Sequence, residues 1–106
     1  MKTDVLLPDI PYKHLKVGGF VYTVQYPWEE SVPGLRAEIF HKFQRICIER
    51  GTIDNVKESM LHEAVHAVDA DRQAGITEDQ VRKMSLGLYA FIKDNRELVH
   101  WIMEEK

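Results

Sequence analysis

The chain has 106 residues and a formal net charge of −3 at pH 7; 44% of its residues are hydrophobic and 29% are charged. This composition predicts one compact domain over residues 1–106 with a modest core, and it argues against two domains. The basic residues are scattered, which gives no support for nucleic-acid binding, and no apolar run is long enough to span a membrane.

The N-terminal residues show no signal-peptide pattern, and the single cysteine, Cys47, fits a reducing compartment. A cytoplasmic location is therefore expected. Cys47 itself is predicted to be a small buried hydrophobic residue, since one cysteine cannot form an internal disulfide.

The first half of the chain is predicted to supply a sheet. Residues 1–18 are expected to form an irregular lead-in, because two prolines stiffen them and a glycine pair follows. Residues 20–26 alternate between core-type and other side chains, which predicts a half-buried strand. Residues 27–34 carry two prolines and a glycine and are predicted to form a loop, whose exposed Trp28 is a candidate cover for a cleft.

Residues 35–50 fit both a helix and a pair of strands. Their apolar residues also follow a helical stripe, formed by Leu35, Ile39, Phe43, Ile46 and Cys47. The alternation typical of a strand loses phase near residues 41–43, which a turn there explains, so two short strands are favoured. The second, residues 44–49, is predicted either to be the sheet edge lining a cleft, where an extended peptide would add as a strand, or simply to complete a small sheet.

Two long helices are predicted next. The first runs from Asn55 to Ala74, with Asn55 and Glu58 as a capping box and Gly75 as the C-terminal stop. The second begins at Thr77 with a reciprocal cap from Gln80. Its apolar face consists of Val81, Met84, Leu88, Phe91 and Ile92.

A terminal helix from about Arg96 to Glu104 is predicted to close the core with Leu98, Trp101 and Ile102 inward. The fold class expected from these elements is α+β. It comprises a small antiparallel sheet of about three strands packed on the first helix, a second helix and this C-terminal helix.

The first long helix carries the run His62-Glu63-Ala64-Val65-His66. Residues four apart lie one turn apart on the same helix face, so both imidazoles can bind one ion, and Zn²⁺ is the expected cofactor. Glu63 projects to the side, where it can act as general base toward a water. The alternative is a fortuitous motif on a purely structural helix, with no metal.

Catalytic zinc usually has three protein ligands. Glu78 lies on the inward face of the second helix and is the predicted third ligand; the alternative is an ordinary first-turn acid. Asp69 is predicted to accept the second ring N–H of a zinc histidine, or else to face solvent. Tyr89 is a candidate oxyanion stabiliser, with a buried core tyrosine as the alternative. The other histidines show no ligand spacing and are predicted to be surface or boundary residues: His14, His41 and His100.

The order of a strand, the His-Glu-x-x-His helix, a short turn and a helix opening with Glu78 resembles the small gluzincin-type metallopeptidases. The similar groups are the ImmA/IrrE-type and the phage-encoded minigluzincin-like proteins, and the likeness extends from about Gln44 to the C-terminus. In that family the glutamate opening the second helix is the third zinc ligand, which maps onto Glu78. Two features depart from the ImmA/IrrE pattern: Val81-Arg82 stands where Ala-Asn is favoured, and the connection from His66 to Glu78 is short.

The function expected from these residues is zinc-dependent peptide-bond hydrolysis by a metalloendopeptidase. The substrate would be a protein or peptide, and the resemblance implies a transcriptional regulator as a candidate target. The alternative function is a zinc-binding regulatory or interaction module without proteolytic activity. Neither nucleic acid nor a membrane is an expected partner.

Overall fold

A computed structural model describes residues 5–30 and 34–105 of the chain. The described residues form four strands followed by three α-helices, which confirms the predicted α+β class with one strand more than the three or so expected. These elements are β1 (His14–Val17), β2 (Phe20–Gln25), β3 (Ala37–Phe40), β4 (Arg45–Ile48), α1 (Ile53–Arg72), α2 (Glu78–Asp94) and α3 (Arg96–Met103). None of the described helices combines the length and the apolarity needed to cross a bilayer.

The sheet has the strand order β1-β2-β4-β3. The outer pairs are antiparallel, whereas β2 and β4 run parallel in the middle. The sheet is therefore mixed, whereas an antiparallel sheet was predicted. The prediction of two strands over residues 35–50 is confirmed, with a 3₁₀ turn at His41–Phe43 between them. Of the two alternatives for residues 44–49, the sheet edge is wrong, because β4 is interior and β3 is the edge strand, and the strand that completes a small sheet is confirmed. The unbroken apolar run Ile46-Cys47-Ile48 is fully buried, as is typical of a strand covered on both faces.

Strand β1 lies within the residues that were predicted to be an irregular lead-in, so that prediction is wrong for His14–Val17. It pairs with β2 through a two-residue turn at Gly18-Gly19, so that Val17 lies opposite Phe20. Gly18 adopts a φ of 59°, which favours glycine. The carboxylate of Asp71, on α1, occupies the space that a Cβ at Gly18 would need.

The hydrophobic core lies between the sheet and α1. Strand β2 contributes alternate side chains, and the buried apolar residues of β4 and α1 complete the cluster. Its buried members are Ile10, Val17, Tyr22, Val24, Tyr26, Ile46, Ile48, Val56 and Ala67. Cys47 is buried as predicted, and burial raises the pKa of its thiol. The predicted exposure of Trp28 is wrong, since its ring packs edge-on against Phe40, 6.2 Å between centroids. Residues 31–33 of the predicted loop lie outside the described residues.

Helix α1 begins two residues earlier than predicted. Thr52 is its N-cap, and the Thr52 hydroxyl accepts a hydrogen bond from the backbone N–H of Asn55. The predicted capping box at Asn55 and Glu58 is therefore wrong, because Asn55 already lies inside the helix. The start of α2 is confirmed, since Thr77 and Gln80 form a reciprocal capping box.

Helix α3 has nearly the predicted bounds, but the prediction that its apolar side chains close the core is wrong. None of its eight residues, all of them described, is buried, and Leu98, Trp101 and Ile102 are exposed. The predicted apolar face of α2 is only partly buried. Val81 and Ser85 are buried, whereas Met84, Leu88, Phe91 and Ile92 are exposed.

Replacing Gly18 with alanine is expected to destabilise the protein by roughly 1–3 kcal/mol, because an L-residue is strained at this φ and its Cβ displaces the Asp71 carboxylate. Gly19→Ala is the matched control: its Cβ would meet nothing within 4 Å, and the expected change is below about 0.5 kcal/mol. Urea unfolding followed by circular dichroism measures both. Equal losses in the two variants would contradict this role for Gly18.

Candidate metal centre

Two imidazoles from α1 and one carboxylate from α2 meet in this structure. His62 and His66 are half-buried on one face of α1, with ring centroids 5.0 Å apart. The His62 Nε2 lies 2.8 Å from one oxygen of Glu78, and the His66 Nε2 lies 2.8 Å from the other. One donor atom from each of the three residues lies within 4.8 Å of the other two. This His-His-Glu group can hold a metal ion, so the ligand positions predicted from the sequence do come together.

The connection between α1 and α2 brings Glu78 to the histidines. It consists of residues 73–77, beginning with Gln73 in the left-handed region. The Asp69 carboxylate accepts hydrogen bonds from the backbone N–H groups of Gly75, at 2.8 Å, and Ile76, at 3.2 Å. The structure therefore places Asp69 at the turn, and its hydrogen bonds go to the backbone instead of to a histidine ring as predicted. These bonds satisfy N–H groups that a tight turn leaves without helical partners.

Ser85 contacts the candidate ligands and was not predicted as a site residue. It is buried, and its Oγ lies 3.4 Å from the Nδ1 of His62. The same hydroxyl donates its one hydrogen to the carbonyl of Arg82, at 3.1 Å. With its hydrogen given to Arg82, the hydroxyl oxygen is available to accept from a His62 Nδ1–H, which is the tautomer whose Nε2 lone pair binds a metal ion. The sequence signal was the spacing of seven residues from Glu78, which puts Ser85 on the same face of α2.

Glu63 is buried, with only 4% of its surface exposed, and it lines the same cleft as the candidate ligands. Burial raises the pKa of its carboxyl to about 7, and the negative charges of Glu78 and Glu38 act in the same direction. Desolvation disfavours the ionised form most strongly, since a charged carboxylate loses water that the protein does not fully replace. The position on the cleft agrees with the prediction for a proton-accepting group.

Tyr89, the candidate oxyanion stabiliser, does not lie with this group. Its hydroxyl donates to Asp54 in the first turn of α1, at 3.0 Å. Burial, reinforced by the Asp54 carboxylate, raises the pKa of Tyr89 to about 12. Eleven residues separate Tyr89 from Glu78, which is roughly 16 Å along a helix. The side chain shares a face with Glu78 but lies at the opposite end of the helix pair.

The candidate ligands lie in a cleft of about 820 Å³ between β3 and the two long helices. Strand β3 supplies Glu38 and Ile39 to one wall, while Glu58 and Arg82 lie on the helical side. His41, exposed as predicted, also lines the cleft, and its Nδ1 lies 3.2 Å from the Tyr22 hydroxyl. The cleft therefore has one wall from the edge of the sheet and one wall from the two long helices.

Comparisons with protein-family models, with curated proteins and with solved structures found no match to this chain. The interpretation of the site therefore depends on its own residues and geometry.

Ser85→Ala is expected to weaken metal binding, probed with Zn²⁺, by roughly 10–100-fold, because His62 loses its hydrogen bond to the Ser85 hydroxyl. Ser59→Ala is the matched control, since Ser59 is also a buried serine lining the cleft. Competition titration against a chelating dye measures the affinity of each variant. Unchanged affinity in Ser85→Ala, or an equal loss in both, would contradict the positioning role.

Proposed function

We propose that this chain is a zinc-dependent peptidase that hydrolyses peptide bonds in a protein or peptide substrate. One observation carries the proposal: the buried carboxyl of Glu63 shares a cleft with the converging donors of His62, His66 and Glu78. This combination supplies both a metal site and a proton acceptor in one cleft, with Glu78 contributed by α2. The resemblance to gluzincin-type metallopeptidases rests on the same residues.

The donor set favours zinc among the common metal ions. Two imidazole nitrogens and one carboxylate oxygen suit Zn²⁺, and three protein ligands leave a fourth position open for substrate or water, as catalytic zinc requires. A hydrogen bond from the Nδ1–H of His62 to the Ser85 oxygen would hold this ligand in the tautomer that an ion needs. When bound, zinc polarises the scissile carbonyl and lowers the pKa of water to about 7.

Glu63 moves the proton in the proposed reaction. Its carboxylate accepts a proton from the attacking water as the water oxygen bonds to the scissile carbonyl carbon. It then delivers that proton to the amide nitrogen as the carbon–nitrogen bond breaks. Because the charge of Glu78 helps to raise the pKa of Glu63, a cation held by Glu78 lowers that pKa and favours the proton-accepting form.

The edge strand β3 supports a peptide as the substrate class. It pairs with β4 on one side, and among the described residues no strand pairs with its other side. An extended peptide can hydrogen-bond to this free edge as an added strand, which holds its backbone along the cleft. The cleft also carries charges of both signs, from Arg36, Glu38, Glu58 and Arg82, which suits polar side chains on a substrate.

A second candidate function is a zinc-binding regulatory or interaction module without proteolysis. The exposed apolar side chains of α2 and α3 favour it, since surfaces of this kind bind partners. A transcriptional regulator is the partner class that the resemblance suggests for either function. Peptide hydrolysis requires Glu63 as proton acceptor, whereas binding of a partner by a zinc-containing module does not.

Glu63→Gln is expected to keep its metal and its fold while peptide hydrolysis falls by about 100-fold or more, because the amide cannot accept the proton. Hydrolysis is measured by mass spectrometry on a mixture of unstructured peptides, with the metal content of each sample determined in parallel. Glu58→Gln is the control, as Glu58 also lines the cleft from α1. Undiminished hydrolysis in Glu63→Gln would remove Glu63 from the mechanism. Loss of hydrolysis in both variants would show that the effect is not specific to Glu63.

Protein purified without a metal-binding tag is expected to contain about one zinc per chain by elemental analysis, because the three donors form a single site. Glu78→Ala should lose more affinity than the roughly 10–100-fold that removal of an outer hydrogen-bond partner costs. Asp79→Ala is the matched control, since the neighbouring Asp79 instead pairs with Arg82 and Lys83. No zinc in the parent protein after reconstitution would overturn the proposed function.

A further inference from the structure

We infer that two copies of this chain associate through one apolar surface on α2 and α3, here called the α2–α3 face. The residues of this face are exposed, and those on α3 have no buried neighbour on their own helix. They are Met84, Leu88, Phe91, Ile92, Leu98, Trp101, Ile102 and Met103. The inference is independent of the proposed enzymatic function.

The exposed area of the α2–α3 face is that of a dimer interface. Trp101 and Ile102 are the clearest cases, with 64% and 63% of their surfaces exposed. At roughly 200 Å² for each large side chain and about half exposure, the face offers on the order of 800 Å² of apolar surface. A typical monomer has a largest patch of roughly 300–600 Å², whereas each partner in a standard interface buries about 800 Å².

The shape of the chain is consistent with an uncovered terminal helix. The radius of gyration is 14.3 Å, whereas a compact chain of this length is expected to have about 13 Å. Helix α3 follows α2 after a single residue, Asn95, whose side chain donates a hydrogen bond to the Phe91 carbonyl. A second copy that covers α3 would remove its apolar side chains from water.

The apolar residues of the face recur at helical spacing within each helix. Met84, Leu88 and Phe91 are separated by four and three residues on α2, and Leu98 and Ile102 by four residues on α3. Asn95 lies between the two helices with a non-helical backbone, at φ −130° and ψ 50°, so each helix presents its own apolar stripe.

The sequence around Asn95 is nearly palindromic in its apolar residues, which favours a second copy as the occupant. Reading outward in both directions gives matched apolar pairs: Ile92 with Leu98, Phe91 with Val99, and Leu88 with Ile102. A two-fold axis places the same surface of the two copies opposite itself, so that a residue before Asn95 in one copy meets a residue after Asn95 in the other. Antiparallel pairing about Asn95 meets that condition.

The charges near Asn95 are complementary under the same two-fold axis. Lys93 falls opposite Glu97 of the second copy, and Asp94 falls opposite Arg96 of the second copy, so that both pairs join opposite charges. All four side chains are exposed and lie next to the α2–α3 face. A rim with balanced charges does not repel its own copy, whereas a rim of one sign would select a different partner.

The α2–α3 face and the metal cleft occupy different lengths of α2. The cleft lining on α2 ends at Leu86, whereas seven of the eight residues of the face follow Leu86 in the chain. Ile92 shares a side of α2 with Ser85 but lies about 10 Å further along the helix. Metal binding by each variant is therefore measured separately from its oligomeric state.

The test measures the mass of the full chain by light scattering and sedimentation at protein concentrations from about 1 to about 200 µM. This range covers the dissociation constants of the weaker interfaces of this size. The parent should approach twice its 12.4 kDa as the concentration rises. Leu98→Asp with Ile102→Asp should remain at 12.4 kDa with an unchanged circular dichroism spectrum, because α3 buries no residue. Phe43→Asp is the control, since Phe43 is an exposed apolar residue on the 3₁₀ turn, and it should still dimerise.

A charge exchange tests the two-fold pairing itself. Lys93→Glu should raise the dissociation constant about 10-fold, since two contacts become repulsive in each dimer. Adding Glu97→Lys to the same chain should restore it to within about threefold of the parent. A mass of 12.4 kDa at every concentration, a dimer that survives the α3 substitutions, or a double variant that stays weak would each overturn the inference. Binding of a different protein by a monomeric parent would also overturn it.

Discussion

The short connection between α1 and α2 is the constraint on which the candidate site depends. Helix α1 alone can present two imidazoles to one ion, because four residues return a side chain to the same face. The third donor must come from a segment that returns to that face, and a turn of five residues held by Asp69 leaves little freedom for where α2 begins. Glu78, the first residue of α2, therefore lies opposite His62 and His66.

The sheet determines the chemistry of the carboxyl beside the ligands. Strand β4 occupies an interior position, which moves β3 to the edge and lets α1 pack on the sheet near it. Glu63 is thereby enclosed between α1 and the sheet, where burial and the charge of Glu38 disfavour its ionised form. The strand order thus accounts both for the open sheet edge along the cleft and for the raised pKa of Glu63.

Local signals in the sequence were sufficient for the motif, the start of α2 and the strand pair of residues 35–50, because each depends on neighbours within a few positions. The hairpin at Gly18-Gly19 also had a local signal, since polar and apolar residues alternate from His14 to Val17. Contacts between residues distant in the sequence could not be predicted from these local signals. Asp69 and Tyr89 share faces with the ligands, but tertiary packing selects their partners. Periodicity gave α3 an apolar face without specifying whether the domain's own core would cover it.

The exposure of Glu78 governs how an ion would be gained and lost. Its side chain is 69% exposed, whereas those of the two histidines are about one-fifth exposed. Rotation of this carboxylate about its own bonds opens the donor set toward solvent without breaking a backbone hydrogen bond of α2. Exchange of an ion held there would need no unfolding, so occupancy would follow the free metal concentration around the protein. Such a site would equilibrate with its surroundings, in contrast to one that traps its ion during folding.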